Sequence, residues 1–222
     1  RSNTRSLFNE FSQGHRWQIL NNLQGFFKLL SQRPGYKNST KMSDLVYLSP
    51  SKEESDYRNY HEVKNYPTLQ QVIKLCDSIK INNDIDLRDR ALIAFLFISA
   101  IRVDAVASLL ICSYKQKSGF IDQNPRHGVR VKFSKQIKTY LFPLSSKLKL
   151  YFDEYYNQLI NKGFGNDKPL FPKSEIKMDG LSFCKPDTLS QDFMSSSRIR
   201  EIIKIRCDEA QMERFNPHSF RH

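Results

Sequence analysis

The sequence predicts a mainly α-helical chain with a small antiparallel β-sheet, an α+β fold, and three observations carry that prediction. Apolar residues recur at three- and four-residue steps in several tracts, the signature of amphipathic helices. In one stretch near the middle the period falls to two, the signature of strands. The 222 residues are 39% hydrophobic, enough to build a core, and a length of this order supports one or two domains.

Leu20, Leu23, Phe27 and Leu30, with Ile19 and Phe26 beside them, form a helical stripe within 7–30, and Gln32-Arg33-Pro34-Gly35 ends it with a breaker pair. Residues 36–66 are rich in Ser, Asn, Lys and Tyr, contain Pro50 and show no sustained period, so they read as a linker. One or two helices cannot bury their own stripe. Residues 1–35 are therefore expected to be the end of a helical domain, with 67–222 as the main domain.

Within that domain Thr68 caps a helix bearing Leu69, Val72, Ile73, Cys76 and Ile79. Asp86 is expected to cap a second, apolar nearly all round through Ala91, Leu92, Ile93, Phe95, Leu96, Phe97 and Ile98, which should be the buried centre. Val103, Val106, Ala107 and Leu110 suggest a third, short helix. Val129, Val131 and Phe133 then alternate with Arg130 and Lys132, and Tyr140-Leu141-Phe142 follows across a turn at 134–139. This reads as a hairpin ended by Pro143, with Phe120-Ile121 as the candidate third strand. Leu148, Tyr151, Phe152, Tyr155 and Leu159 build a helix that stops at Gly163. A loop containing Pro169, Pro172, Gly180 and Pro186 leads to a last helical tract over 189–207, and there are no internal repeats.

Lys and Arg number 35 against 23 Asp and Glu, a formal charge of +12 and a pI near 9.5. The polyanions that most often match such a surplus are nucleic acids. Cys76, Cys112, Cys184 and Cys207 are scattered without a C-x-x-C pair, which points away from a zinc ribbon or a disulfide framework and toward a reducing compartment. No apolar run approaches the ~18 residues of a membrane span, and no signal-peptide core opens the chain. A soluble, cytoplasmic protein is expected, nucleoid-associated if prokaryotic, with no membrane partner.

Three pieces carry chemistry: Ile98-Ser99-Ala100-Ile101-Arg102-Val103-Asp104, Phe133-Ser134-Lys135-Gln136-Ile137-Lys138-Thr139 leading into Leu141-Phe142-Pro143-Leu144, and His218-x-x-Arg221-His222. Each alone has a plainer reading. Arg102 could bond free carbonyls at a helix end, Lys135 and Lys138 could be solvated turn residues, and His218 could simply open a helix after Pro217. His218 and His222 at i, i+4 could also be a metal pair, but no Glu stands between them as in H-E-x-x-H and no third ligand is near in sequence.

Together and in this order, the pieces resemble the catalytic domain of the tyrosine recombinase (phage integrase) family. There a helix ends in a Gly-Leu-Arg-like turn, a hairpin presents a lysine and runs into a Val-Pro-Leu-like strand end, and an H-x-L-R-H box follows a long helix. The matching residues are Ala100-Ile101-Arg102, Lys135 before Phe142-Pro143-Leu144, and His218-Ser219-Phe220-Arg221-His222. The resemblance covers 67–222, and the segment around Leu20–Leu30 with its linker looks like the end of the family's core-binding domain. Ala100 stands where Gly is usual, Phe220 where Leu is usual, and the acidic residue usual three positions after the arginine is Ala105, with Asp104 displaced by one.

The resemblance implies a site-specific recombinase that breaks and rejoins DNA strands through a 3′-phosphotyrosyl link, as in integration or the movement of a mobile element. Arg102 and Arg221 would clamp the phosphate, because a planar guanidinium bonds two oxygens at once and keeps its charge. Lys135, with Lys138 in reserve, would protonate the leaving 5′ oxygen. His218 would bond the phosphate or handle the nucleophile's proton. No metal or other cofactor is required. The family's nucleophilic tyrosine lies beyond its H-x-x-R-H box, so the chain is expected to stop before it, and Tyr140, Tyr151, Tyr155 and Tyr156 read as packing residues. The partner expected is a double-stranded DNA target site, with a monomer alone and a homotetramer on synapsed DNA for the full-length form. Arg198 and Arg200, after the cap-like Ser195-Ser196-Ser197, are candidates for a helix start in the major groove. Arg126, Arg130, Lys132, Lys37 and Lys41 are candidates for phosphate contacts. Competing readings are a non-catalytic DNA-binding relative and a type IB topoisomerase.

Overall fold

The computed structural model describes residues 13–37, 41–49, 52, 66–177, 180–183 and 193–221. The chain divides into two compact units, Arg1–Lys64 and Asn65–His222. In the first, helix α1 (Gln13–Leu30) is joined by a 3-10 turn at Met42–Leu48, inside the stretch without a sequence period. Leu45 is buried, and the Gln24 side-chain amide donates to Ser49 Oγ at 3.1 Å.

The second unit is built around one helix. Its first element, α2 (Leu69–Ser78), opens with a reciprocal cap: the Gln71 N–H donates to Thr68 Oγ1, and the Thr68 N–H donates to Gln71 Oε1 at 2.8 Å. The central helix α3 (Asp84–Ser99) buries Ala91 to Leu96 and Ile98, as an all-round apolar sequence should. Its cap is Asn83 rather than Asp86. Asn83 Oδ1 accepts from the Ile85 and Asp86 N–H groups at 2.8 and 3.0 Å, which leaves the Asp86 carboxylate free to pair with Arg206. Helix α4 (Val103–Val106) is the short third helix.

A three-stranded antiparallel sheet follows, in the order β1 (Tyr114–Lys115), β2 (Phe120–Gln123), β3 (Ile137–Tyr140). Phe120 pairs with Tyr140 and Asp122 with Lys138, so the hairpin is β2 with β3, and 124–136 form its loop. The expected strand over 129–133 does not form. Val129 is buried, Val131 is half-buried and Phe133 is exposed, so the alternating residues do not share one buried face. The Arg130 N–H donates to Ser108 Oγ at 2.8 Å instead of to a ladder, and a 3-10 turn takes over at Lys132–Ser134.

Helix α5 (Ser146–Asn161) is capped by Ser145, buries Leu148, Tyr151, Phe152, Tyr155 and Leu159 against α3, and ends before Gly163 at φ +84°. The Tyr155 hydroxyl donates to the Leu170 carbonyl at 2.7 Å while its ring stacks on Phe171. A second, two-stranded sheet of β4 (Ser174–Lys177) and β5 (Gly180–Phe183) lies within what the sequence presented as a Pro- and Gly-punctuated loop. The last helix, α6 (Ser196–Glu209), begins later than the expected 189. Ser195 caps it by accepting from the Arg198 N–H at 3.1 Å; 184–192 lie outside the described residues. A 3-10 turn, Pro217–Arg221, packs on α3 through an edge contact of Phe220 with Phe97.

Candidate functional site

Arg102 is placed by the way α3 ends. Ala100 adopts the left-handed conformation, φ +51° and ψ +26°, and its N–H closes the helix on the Leu96 carbonyl at 3.1 Å. The chain then turns out: Ile101 is buried while Arg102 is exposed. Arg102 occupies the cap position of α4 but makes no side-chain cap bond. Among the described residues its guanidinium has neither a hydrogen bond nor a carboxylate partner, so the carbonyl-capping reading does not hold. Next to it, the Phe142 N–H donates to the Ile98 carbonyl at 2.7 Å, which fastens the exit of β3 to the last turn of α3.

Arg221 reaches the same end of α3 from the other terminus of the unit. Phe220 is buried between Phe97 and Phe215, and this anchors the turn that carries the arginine. Arg221 Nε is buried and has no hydrogen-bond partner among the described residues. Burial, and then the positive charge of Arg102, push the Arg221 guanidinium below its ordinary pKa. Two like charges are thus held within electrostatic range, and neither has a carboxylate partner among the described residues.

Of the other candidates, Lys135 and Lys138 lie before and on β3, and His218 shares the terminal 3-10 turn with Arg221. Lys135 is exposed in the loop before β3 and makes no hydrogen bond or ion pair among the described residues. Lys138 is exposed on β3, with its ammonium 5.5 Å from the centre of the Phe120 ring. His218 is exposed in the terminal 3-10 turn, where its N–H donates to Asn216 Oδ1 at 3.0 Å. His222 lies outside the described residues, and no group of three or more potential metal-ligating side chains occurs among those described.

Ser195 leads α6 as its spacing suggested, and both Arg198 and Arg200 are exposed in its first turns. Arg198 is paired with Glu201 at 2.7 Å. Arg126, Arg130 and Lys132 are exposed along the 124–136 loop, and Lys37 and Lys41 are exposed in the first unit. An open groove of about 550 Å³ lies between Ala107, Ser108, Leu110, His127, Arg130 and Asp167; Arg102, Lys135, His218 and Arg221 are not among its lining residues.

One contact near the arginine pair was not legible. Ser196 Oγ donates to Asp104 Oδ1, tying the start of α6 to α4 two residues past Arg102. The displaced Asp104 was the visible half of this link, while its partner lies 92 residues away, beyond any local spacing rule.

No family model matches the chain, and no curated protein matches it. Among solved structures the chain is similar to XerA recombinase, with 15% identity and a TM-score of 0.49 over 99% of this chain and 62% of that one. It is also similar to an integrase from mycobacterium phage Brujita, with 15% identity and a TM-score of 0.46 over 95% of this chain and 56% of that one. The chain thus spans less than two thirds of either.

Proposed function

We propose that the protein binds duplex DNA and clamps one backbone phosphate between Arg102 and Arg221, as the catalytic region of a site-specific recombinase of the tyrosine type. The observation that carries this reading is the Arg221 guanidinium, its Nε buried without a partner and its charge opposed by Arg102. A phosphodiester supplies what that pair lacks: negative charge and acceptor oxygens in the geometry of a guanidinium fork. As the phosphorus passes through five-coordination, charge grows on its non-bridging oxygens, and fixed cations aimed there lower the barrier.

Lys135 is the general acid for the leaving 5′ oxygen, since its ammonium is uncommitted while Lys138 lies over Phe120. His218 assists at the phosphate. Arg198 and Arg200 at the α6 start contact bases, and Arg126, Arg130, Lys132, Lys37 and Lys41 contact phosphates. The nucleophile in this reading is a tyrosine. Tyr114, Tyr151 and Tyr155 are engaged in hydrogen bonds within the fold.

Polarisation of a labelled duplex titrated with salt tests the reading. Log affinity should fall with log salt at about 0.9 per neutralised phosphate, and these residues should form no denaturant-stable DNA adduct. A flat salt response rejects phosphate binding, and an adduct reassigns the nucleophile. In any form of the protein that cleaves DNA, Arg102→Ala or Arg221→Ala should slow cleavage on the order of a hundredfold or more. Loss of activity in Lys135→Ala should be rescued when the leaving oxygen is replaced by sulfur, which departs without an acid.

A further inference from the structure

Phe133 is a large apolar side chain that takes no part in the hydrophobic core formed by the described residues. It is 78% exposed and absent from the hydrophobic core and its fringe. Its backbone is at φ +64° and that of Ser134 at φ +50°, two consecutive residues in the left-handed region that disfavours side chains. A glycine at 133 would expose less apolar surface and relax the backbone. The ring therefore stands where folding alone would not place it, and strained, exposed positions of this kind mark contact sites.

The surroundings select the kind of partner. No Asp or Glu occurs between Asp122 and Asp153, whereas Arg126, Arg130, Lys132, Lys135, Lys138, Lys147 and Lys149 do. The Lys132 ammonium sits 4.9 Å from the centre of the Phe133 ring. A flat apolar ring among cations complements a polymer with flat apolar faces and negative charge between them. A nucleic acid has both, and an apolar protein patch would leave the cations unmatched.

We propose that Phe133 is a base-contacting wedge: its ring stacks on a nucleobase at a weakened DNA step while Arg130 and Lys132 hold the adjoining phosphates. The proposal rests on the DNA-binding reading and adds a base contact to it. Such a contact is tolerant of sequence, because every base has a π-face, and it favours DNA that is already unstacked.

The chain contains a single tryptophan, Trp17, so Phe133→Trp in a Trp17→Phe background gives the loop its own reporter. Polarisation of a labelled duplex reports binding, and tryptophan emission reports stacking. A duplex with a central mismatch should quench the emission more than a perfect one. Phe133→Gly should weaken binding to the mismatched duplex about 5- to 150-fold with the melting temperature unchanged or raised, while Phe133→Tyr keeps the affinity. Binding with unchanged emission and undiminished affinity in Phe133→Gly overturns the wedge and leaves the DNA reading standing. A lower melting temperature in Phe133→Gly overturns it by making the ring structural. Quenching that rises with protein concentration in the absence of DNA overturns it in favour of a second copy of the chain. No polarisation change with any duplex overturns the DNA-binding reading itself, and the wedge with it.

Discussion

Arg88 and Arg206 toward one end of α3, and Arg102 and Arg221 at the other, place the same side chain in opposite circumstances, with about 16 Å of helix between Arg88 and Ser99. Arg88 is 1% exposed, yet every side-chain nitrogen has a partner: Nε and Nη2 donate to Asp89, and Nη1 donates to the Pro172 carbonyl and to Ser174 Oγ. Arg206 donates to Asp86 at 2.7 Å, to Asp89 at 2.8 Å and to Glu209 at 3.0 Å. Its burial works against the charge, but the hydrogen bonds and field of Asp89, with Asp86 and Glu209, outweigh it and raise the guanidinium pKa. Among the described residues the other pair has no carboxylate partner: the nearby Asp104 accepts from Ser196, and the negative end of the α3 dipole faces the pair. Where the fold uses arginine for cohesion it supplies acids, and at the other end of the helix it supplies no carboxylate partner among the described residues.

The largest effect should come from breaking the saturated cluster. Arg206→Gln removes bonds to both aspartates and leaves Asp86 and Asp89 buried with less compensation, which should destabilise the fold by about 3–5 kcal/mol. Urea unfolding checks this. A loss below about 1 kcal/mol would mean that the cluster adds little cohesion between α3 and α6.

The matching change at the other end should act on binding instead. Burial and Arg102 disfavour the charged form of Arg221 in the folded state, so removing that charge removes a cost at every pH below the guanidinium pKa, neutral pH included. Arg221→Gln should therefore leave stability within about 1 kcal/mol of the parent or raise it. It should also lower duplex affinity and reduce the salt slope by about 0.9. Thermal melting beside a salt titration separates the two. If Arg221→Gln destabilises as much as Arg206→Gln while the slope stays constant, the arginine is a structural tie and the contrast between the ends collapses.

How far the sequence could foresee this contrast differs between the ends. Arg102 and Arg221 were legible because each sits in a local motif and their order along the chain is informative. The saturated cluster was not, since Arg206 and Asp89 are 117 residues apart and no spacing rule joins them. Helices were legible from their stripes and from the Thr68 and Ser195 caps. In Asn83-Asp84-Ile85-Asp86 three residues are competent caps, and only the tertiary pairing of Asp86 decides in favour of Asn83. Val129 to Phe133 mimicked a strand because alternation reports a pattern and not a partner; β2 pairs with Ile137–Tyr140 instead. The β4–β5 pair escaped notice because prolines and glycines punctuate the stretch that contains it.

The smallest effect concerns how α3 itself ends at the two sites. At the saturated end Asn83 accepts two backbone N–H bonds in an extended conformation that suits it, so Asn83→Ala should cost about 1 kcal/mol. At the other end Ala100 closes the helix at φ +51°, where its Cβ crowds the following carbonyl, although glycine adopts this conformation freely. Ala100→Gly relieves that crowding but gives the unfolded chain more freedom to lose, and the two partly offset. The net should be a gain of about 0.5 kcal/mol, read as a slightly higher melting temperature. Duplex affinity should stay within about twofold of the parent, because Ile101 is buried and fixes the path of the chain into Arg102 whichever residue precedes it. A clear destabilisation would mean that Ala100 is not left-handed in solution, and the account of how Arg102 is turned outward would have to be replaced.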